Sequence, residues 1–184
     1  QRQMCIRDSR QAVLAAEDRE FYSNPGFSIT GFGRAAIGQV LGREGAGGGS
    51  TITQQYVKNA LVGDEFSLTR KAKELVISAK MAREWSKDEI LEAYLNTIYF
   101  GRNAYGISAA SNAYFGKEVK DLTPEEGAVL AATIQAPSSL DPWTNRERAE
   151  SRWNYVLDGM VSIDAMKEAD RKKAAYPKVK DPAE

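Results

Sequence analysis

The stretch LTRKAKELVISAKMAREW, Leu68 to Trp85, decides the fold class. Leu68, Ala72, Leu75, Val76, Ala79, Ala82 and Trp85 recur at three- and four-residue steps, the period of one helix face. The pattern predicts an amphipathic helix with that stripe turned to a core. The same period continues on both sides. Gln11 to Tyr22 is Ala-rich, with Val13, Glu17 and Phe21 aligned on one face. Asn24-Pro25-Gly26 stops it. Ile29 to Leu41 carries Ile29, Phe32, Ala36 and Val40 at helical spacing, weakened by glycines. GREGAGGG, Gly42 to Gly49, reads as a mobile loop, and a helix is expected from Ser50 or Thr51 to about Leu61. Ser86 with Glu89 forms a capping-box pattern opening a helix to about Asn96. Thr123-Pro124-Glu125-Glu126 marks another start, for a helix ending before Pro137. Arg146 to Met160 is helical by period. Alternating strand pattern is scarce, so the chain is expected to be mainly α.

Its 184 residues suit one domain with tails. Gln1 to Ser9 shows no period and is expected to be a disordered lead. The domain is expected over 10–165. Residues 166–184 are expected to be a lysine-rich linker toward a further domain. No run reaches the roughly 20 apolar residues of a membrane span, and no signal-peptide pattern opens the chain.

Lys+Arg and Asp+Glu are both 25, which argues against a whole-chain nucleic-acid binder. The count of zero histidines excludes a Ser-His-Asp triad, a Cys-His pair and a His-ligated metal site. A general base is then expected to be a carboxylate or, less often, a lysine. The lone Cys5 permits no internal disulfide.

Three features carry candidate chemistry. Glu17 ends the run Ala12-Val13-Leu14-Ala15-Ala16, and a carboxylate on an apolar face is partly desolvated, which suits a proton acceptor. The alternative is a boundary glutamate reaching solvent, paired with Arg19 or Arg10. Gly47-Gly48-Gly49-Ser50-Thr51-Ile52-Thr53-Gln54-Gln55 is a glycine loop feeding a polar helix start, an arrangement suited to an anion. The alternative is a flexible loop with a hydroxyl cap. From Lys58 to Lys87, seven cations stand against four anions, a net +3 in a neutral chain. The concentration in Arg70-Lys71-Ala72-Lys73-Glu74 suits a phosphate or pyrophosphate. A solvated face with an Arg70–Glu74 pair is the other reading.

In order along the chain, Glu17-Asp18-Arg19-Glu20-Phe21, Gly48-Gly49-Ser50-Thr51-Ile52-Thr53-Gln54-Gln55, Arg70-Lys71-Ala72-Lys73-Glu74, Glu89-Ile90-Leu91-Glu92-Ala93-Tyr94-Leu95-Asn96, and Tyr99-Phe100-Gly101 with Ala104-Tyr105-Gly106 resemble the motifs of the peptidoglycan glycosyltransferase family. This is the polymerising module of class A penicillin-binding proteins and of monofunctional glycosyltransferases. The resemblance covers about residues 10 to 160. It implies a lysozyme-like helical domain with a small flexible jaw. It implies an inverting transfer in which the growing lipid-linked glycan chain is the donor, lipid II the acceptor and undecaprenyl pyrophosphate the leaving group. By motif position, Glu17 is the general base and Glu74 a second catalytic acidic residue near the donor pyrophosphate. Lys58, Arg70, Lys71 and Lys73 hold phosphates. Ser50, Thr51, Gln54 and Gln55 line the donor side, Asn96 and Tyr99 support the cleft, Phe21 contacts substrate, and Asp18 orients the base. The resemblance leaves room for a divalent cation such as Mg²⁺ near Asp18 or Glu74 without requiring one, and implies no organic cofactor. It also implies the extracytoplasmic face of the bacterial plasma membrane, contact with the membrane surface, a transpeptidase domain in the full-length protein, and no nucleic acid partner.

Two positions depart from the family pattern. The first motif usually carries a histidine where Asn24 stands, and many members have an arginine where Phe66 stands. Phe27 to Leu41 fits the family's membrane-contacting stretch, with Phe27, Ile29, Phe32, Ile37, Val40 and Leu41 as candidate interfacial residues. The rival functions are a lysozyme-like glycan hydrolase with Glu17 as general acid, and an inactive lipid II or cell-wall binding module. The basic patch argues against the first, since glycan strands offer no diphosphate. The retained Glu17 and Glu74 argue against the second.

Overall fold

A computed structural model describes residues 2–28, 30, 33, 49–62 and 67–183. Among them the chain is helical: α1 (Arg2–Glu17), α2 (Ile52–Val57) with a π-helical turn at Lys58–Val62, α3 (Leu68–Glu84), α4 (Lys87–Thr97), α5 (Ile107–Phe115), α6 (Pro124–Thr133), α7 (Arg146–Ser162) and the short α8 (Glu168–Arg171). The one isolated β-bridge among the described residues joins Tyr99 to Tyr105. The expected mainly α architecture is what forms. The chain divides into two compact units, one of residues 1–19 and 95–184, the other of 20–94.

In the first unit α1 is the central element. Ala12, Val13, Leu14, Ala15 and Ala16 are all buried, so this stretch is apolar on every side, as a helix surrounded by protein must be. It packs against α6 and α7. Gly127 of α6 approaches Ser9 closely enough that a Cβ there would lie 3.1 Å from the serine hydroxyl. Ser9 is buried and the helix starts at Arg2, which corrects the expected disordered lead. Gln, Arg and Met are good helix formers, and propagation from a buried helix adds one hydrogen bond per residue without a new nucleation cost.

The starts of α4 and α6 form as the local signals predict. Thr123 and Glu126 make a complete capping box with Pro124 in the first turn. The Ser86 backbone N–H and hydroxyl both donate to Glu89 at 2.8 Å and hold its carboxyl below the usual range.

The C-terminal residues also differ from expectation. Residues 176–180 pack within the first unit. Tyr176 meets Trp153 edge-on at 5.2 Å, Val179 is buried, and the Lys180 N–H donates to the Tyr114 carbonyl at 2.8 Å. The clamp is Arg102. It sits in a turn where Gly101, Arg102 and Asn103 all have positive φ, closed by Ala104 N–H donating to the Gly101 carbonyl. From there its guanidinium takes Asp141 in a fork at 2.7 and 3.1 Å. It also donates to the carbonyls of Ala113 and Lys180 and lies 4.3 Å over the Tyr114 ring. A left-handed arginine costs about 1 kcal/mol, which this set of contacts offsets.

Burial alone would raise the Asp141 carboxyl. The Arg102 hydrogen bonds and charge, with the N–H groups of Trp143 and Thr144, outweigh it and hold the carboxyl below its ordinary range. Arg102→Ala is expected to destabilise the protein by about 3 kcal/mol at neutral pH in urea unfolding. A depressed carboxyl contributes stability above its unfolded value, near 3.9, and loses it as pH falls through the native value. The gap between wild type and R102A should therefore narrow below about pH 4; a gap that widens on acidification would refute the ion pair's role.

Candidate active site

Glu17 is the last residue of α1 and belongs to the first unit. Its side chain is 11% exposed and pairs with Arg152 of α7, Nη2 to Oε1 at 3.4 Å. This partner lies on another helix and is not one of the two that the sequence suggested, Arg19 and Arg10. Arg19 donates to the Ala15 carbonyl at 3.1 Å and lies over Tyr155. The helix ends at Glu17, so the expected alignment with Phe21 does not form. Phe21 lies in the following turns, belongs to the second unit and is 1% exposed under Lys87, whose Nζ sits 4.6 Å over the ring. Its ring is packed within the second unit. Asn24, at the family's histidine position, accepts from Gly26 N–H at 2.9 Å and from Lys87 Nζ at 3.0 Å, forming a turn that ties the loop to α4.

Also in the first unit, the Tyr99 ring packs on Tyr105 at 4.8 Å. Asn96 is exposed at its side chain, and its carbonyl would lie 2.6 Å from any Cβ on Gly106, whose φ is +82°. The glycine of that motif is required by this approach.

The second unit holds the cationic motif, and it corrects the predicted helix face. The buried residues of α3 are Arg70, Glu74, Ser78 and Met81, whereas Val76 is 68% exposed and Trp85 39%. The stripe at i, i+4, i+8 is charged and polar because its charges pair inside. Glu74, 1% exposed, takes Lys71 at 2.5 Å on one oxygen and Arg70 at 3.4 Å on the other. The Lys71 ammonium also reaches the Ser50 hydroxyl at 3.3 Å. The Arg70–Glu74 pair is therefore buried and not the solvated alternative. Lys73 is exposed on the same helix, and Lys58 is half-buried in the π-helical turn.

Thr51 and Gln54 form a complete capping box at the start of α2. The Thr51 hydroxyl donates to the Gly26 carbonyl at 2.8 Å, and Gln54 Oε1 accepts from the N–H groups of Thr51 and Ser28. Both are buried, and the box occupies the Gln54 N–H. They tie the start of α2 to Gly26 and Ser28. Gln55 is held by Tyr94, whose hydroxyl donates at 2.7 Å. Phe66 and most of the 27–41 stretch lie outside the described residues.

Among the described residues no three His, Cys, Asp or Glu side chains converge as a metal set. Glu74 is already engaged by two cations, Arg70 and Lys71, whose net charge of +1 with it does not suit a divalent cation. No described helix is long and apolar enough to cross a membrane.

Comparison with known proteins bears on the family. The transglycosylase family profile matches residues 4–161. The chain belongs to this family. Among relatives of this transglycosylase unit, penicillin-binding protein 1A of Mycolicibacterium smegmatis is 66% identical over 172 residues, 91% of the chain and 22% of the relative. That of Mycobacterium tuberculosis is 61% identical over 177 residues, 94% of the chain and 22% of the relative. The chain thus spans about a fifth of the length of these relatives. A crystal structure of penicillin-binding protein 1A from Haemophilus influenzae is matched with a TM-score of 0.49 at 27% identity, over 70% of this chain and 16% of that one.

Sequence reasoning missed Arg152 and Tyr155, which share a face of α7 with Gly159 at i, i+3 and i+7. Only their helical spacing was available as a signal. The buried triad gives a test. Removing one member of a buried charge cluster strands the others, so Glu74→Gln should lower stability by about 3 kcal/mol. The triple variant Arg70→Met/Lys71→Met/Glu74→Leu, which removes all three charges, should recover most of it. Thermal melting decides: an unchanged midpoint for E74Q would mean that the cluster is solvated.

Proposed function

We propose that this transglycosylase unit polymerises lipid II into β-1,4-linked glycan with release of undecaprenyl pyrophosphate. The observation that supports it best is the buried charged face of α3. A helix that turns Arg70 and Glu74 inward while leaving Val76 in water is poorly explained by stability alone, because burying ions is costly and apolar residues in their place are often neutral or better. Fixed cations make sense where a diphosphate must leave, since no protonating acid is then needed.

In this reading Glu17 takes the proton of the acceptor 4-hydroxyl as that oxygen bonds to the donor anomeric carbon. The bond from that carbon to the pyrophosphate oxygen breaks on the opposite face, and the configuration inverts. Lys71 and Arg70, held by Glu74, set a positive field for the leaving group; Lys73 and Lys58 supply further charge. Ser50 contributes a hydroxyl beside Lys71. Asp18 orients the base, and Asn96 and Tyr99 support the sugar. The longer protein works at the extracytoplasmic face of the plasma membrane, meets lipid-bound substrates at the bilayer surface, and pairs this unit with a transpeptidase domain.

Labelled lipid II and preformed glycan, given separately to the protein, separate the readings. Polymer from lipid II is expected, with glycan left intact; shortened glycan would favour a hydrolase, and no reaction with either a binding module. Glu17→Gln should lower turnover by about 10²- to 10⁴-fold while lipid II binding, followed by fluorescence anisotropy, persists. Full turnover in that variant would remove Glu17 from the role of base.

A further inference from the structure

The C-terminus of α1 and one face of α7 form a device that nothing in the motif set accounts for. Arg152 Nη2 reaches both the Ala16 carbonyl, at 3.1 Å, and Glu17 Oε1, at 3.4 Å. One contact fixes the backbone that carries the glutamate; the other fixes its carboxylate. The guanidinium is itself immobilised, lying 4.4 Å over the Tyr155 ring, and Arg19 lies 4.8 Å from the same ring. Arg19 in turn donates to the Ala15 carbonyl. Two cations thus meet the carbonyl end of α1, where positive charge opposes the helix dipole favourably. The approach depends on Gly159: a Cβ there would lie 2.8 Å from Arg19 Nη2 and 2.9 Å from the Ala15 carbonyl.

We infer that Arg152, seated on Tyr155, is a positioning residue of Glu17. The inference rests on the reading of Glu17 as the base. A contact of 3.4 Å is long for a charge-assisted hydrogen bond. It therefore steers the carboxylate without binding it as tightly as a short hydrogen bond would. Both contacts come from the one nitrogen Nη2, whose N–H directions are fixed by the guanidinium plane, whereas the N–H groups of an ammonium rotate freely. The Arg152 side chain is 18% exposed and Nε is buried without a hydrogen-bond partner in the structure, so the group is not placed there for bulk solvation.

The test is steady-state polymerisation of lipid II by the wild type, Glu17→Gln, Arg152→Gln, Arg152→Ala and Arg152→Lys, at a temperature where circular dichroism shows each variant folded. R152Q and R152A should lose about 100-fold in kcat, the scale of a misplaced catalytic group, with KM changed less than about twofold. R152K should recover part of the loss, and added guanidinium chloride at non-denaturing concentration should raise R152A but not Glu17→Gln. A wild-type kcat for R152Q, or a loss carried in KM alone, would overturn the positioning role while leaving the base assignment intact. An active Glu17→Gln would instead defeat the reading on which it rests. A lowered melting temperature without guanidinium rescue would reduce Arg152 to a helix cap.

Discussion

The end of α1 is the constraint on which the first unit depends. A helix buried on every side has nowhere to send a polar side chain except its terminus, and its final carbonyls need donors that water cannot supply there. The chain answers with guanidinium groups, at Ala15 from Arg19 and at Ala16 from Arg152. Glu17 is the first polar side chain after that apolar run, so the same group that satisfies a backbone carbonyl meets the carboxylate. Structural necessity and candidate chemistry share one place.

The second unit follows a different rule. Its central helix places charge inward, and the charges hold one another. Lys71, Glu74 and Ser50 form a chain of contacts in which the glutamate spaces and holds the cations. A carboxylate in this position need not exchange a proton to matter. It keeps two like charges close together in a buried setting, which mutual repulsion would otherwise forbid.

Local signals were readable and long-range ones were not. The capping patterns at Ser86 and Thr123 formed because capping needs only residues three apart. The predicted stripe of α3 failed because periodicity identifies a face without saying which way it turns; the rule that apolar faces turn inward gave way to a cluster of paired charges. The helical start at Arg2 was hidden by a composition with helix propensity but no apolar period. Arg152 and the Arg102–Asp141 fork were invisible, since their partners are distant in sequence and ordinary in type. The residues that could be assigned to chemistry came through motif order, which carries information that period does not.

The hydrogen bonds from Thr51 to the Gly26 carbonyl and from Ser28 to Gln54 join two points that are far apart along the chain. They tie residues 26 and 28 to the start of α2. The entropy cost of joining two such points grows only with the logarithm of the intervening length, roughly 0.6 kcal/mol per doubling. A tie across 25 residues therefore costs the second unit little more than one across half that number. A substitution at Thr51 or Gln54 would remove a long-range link and not only a local one.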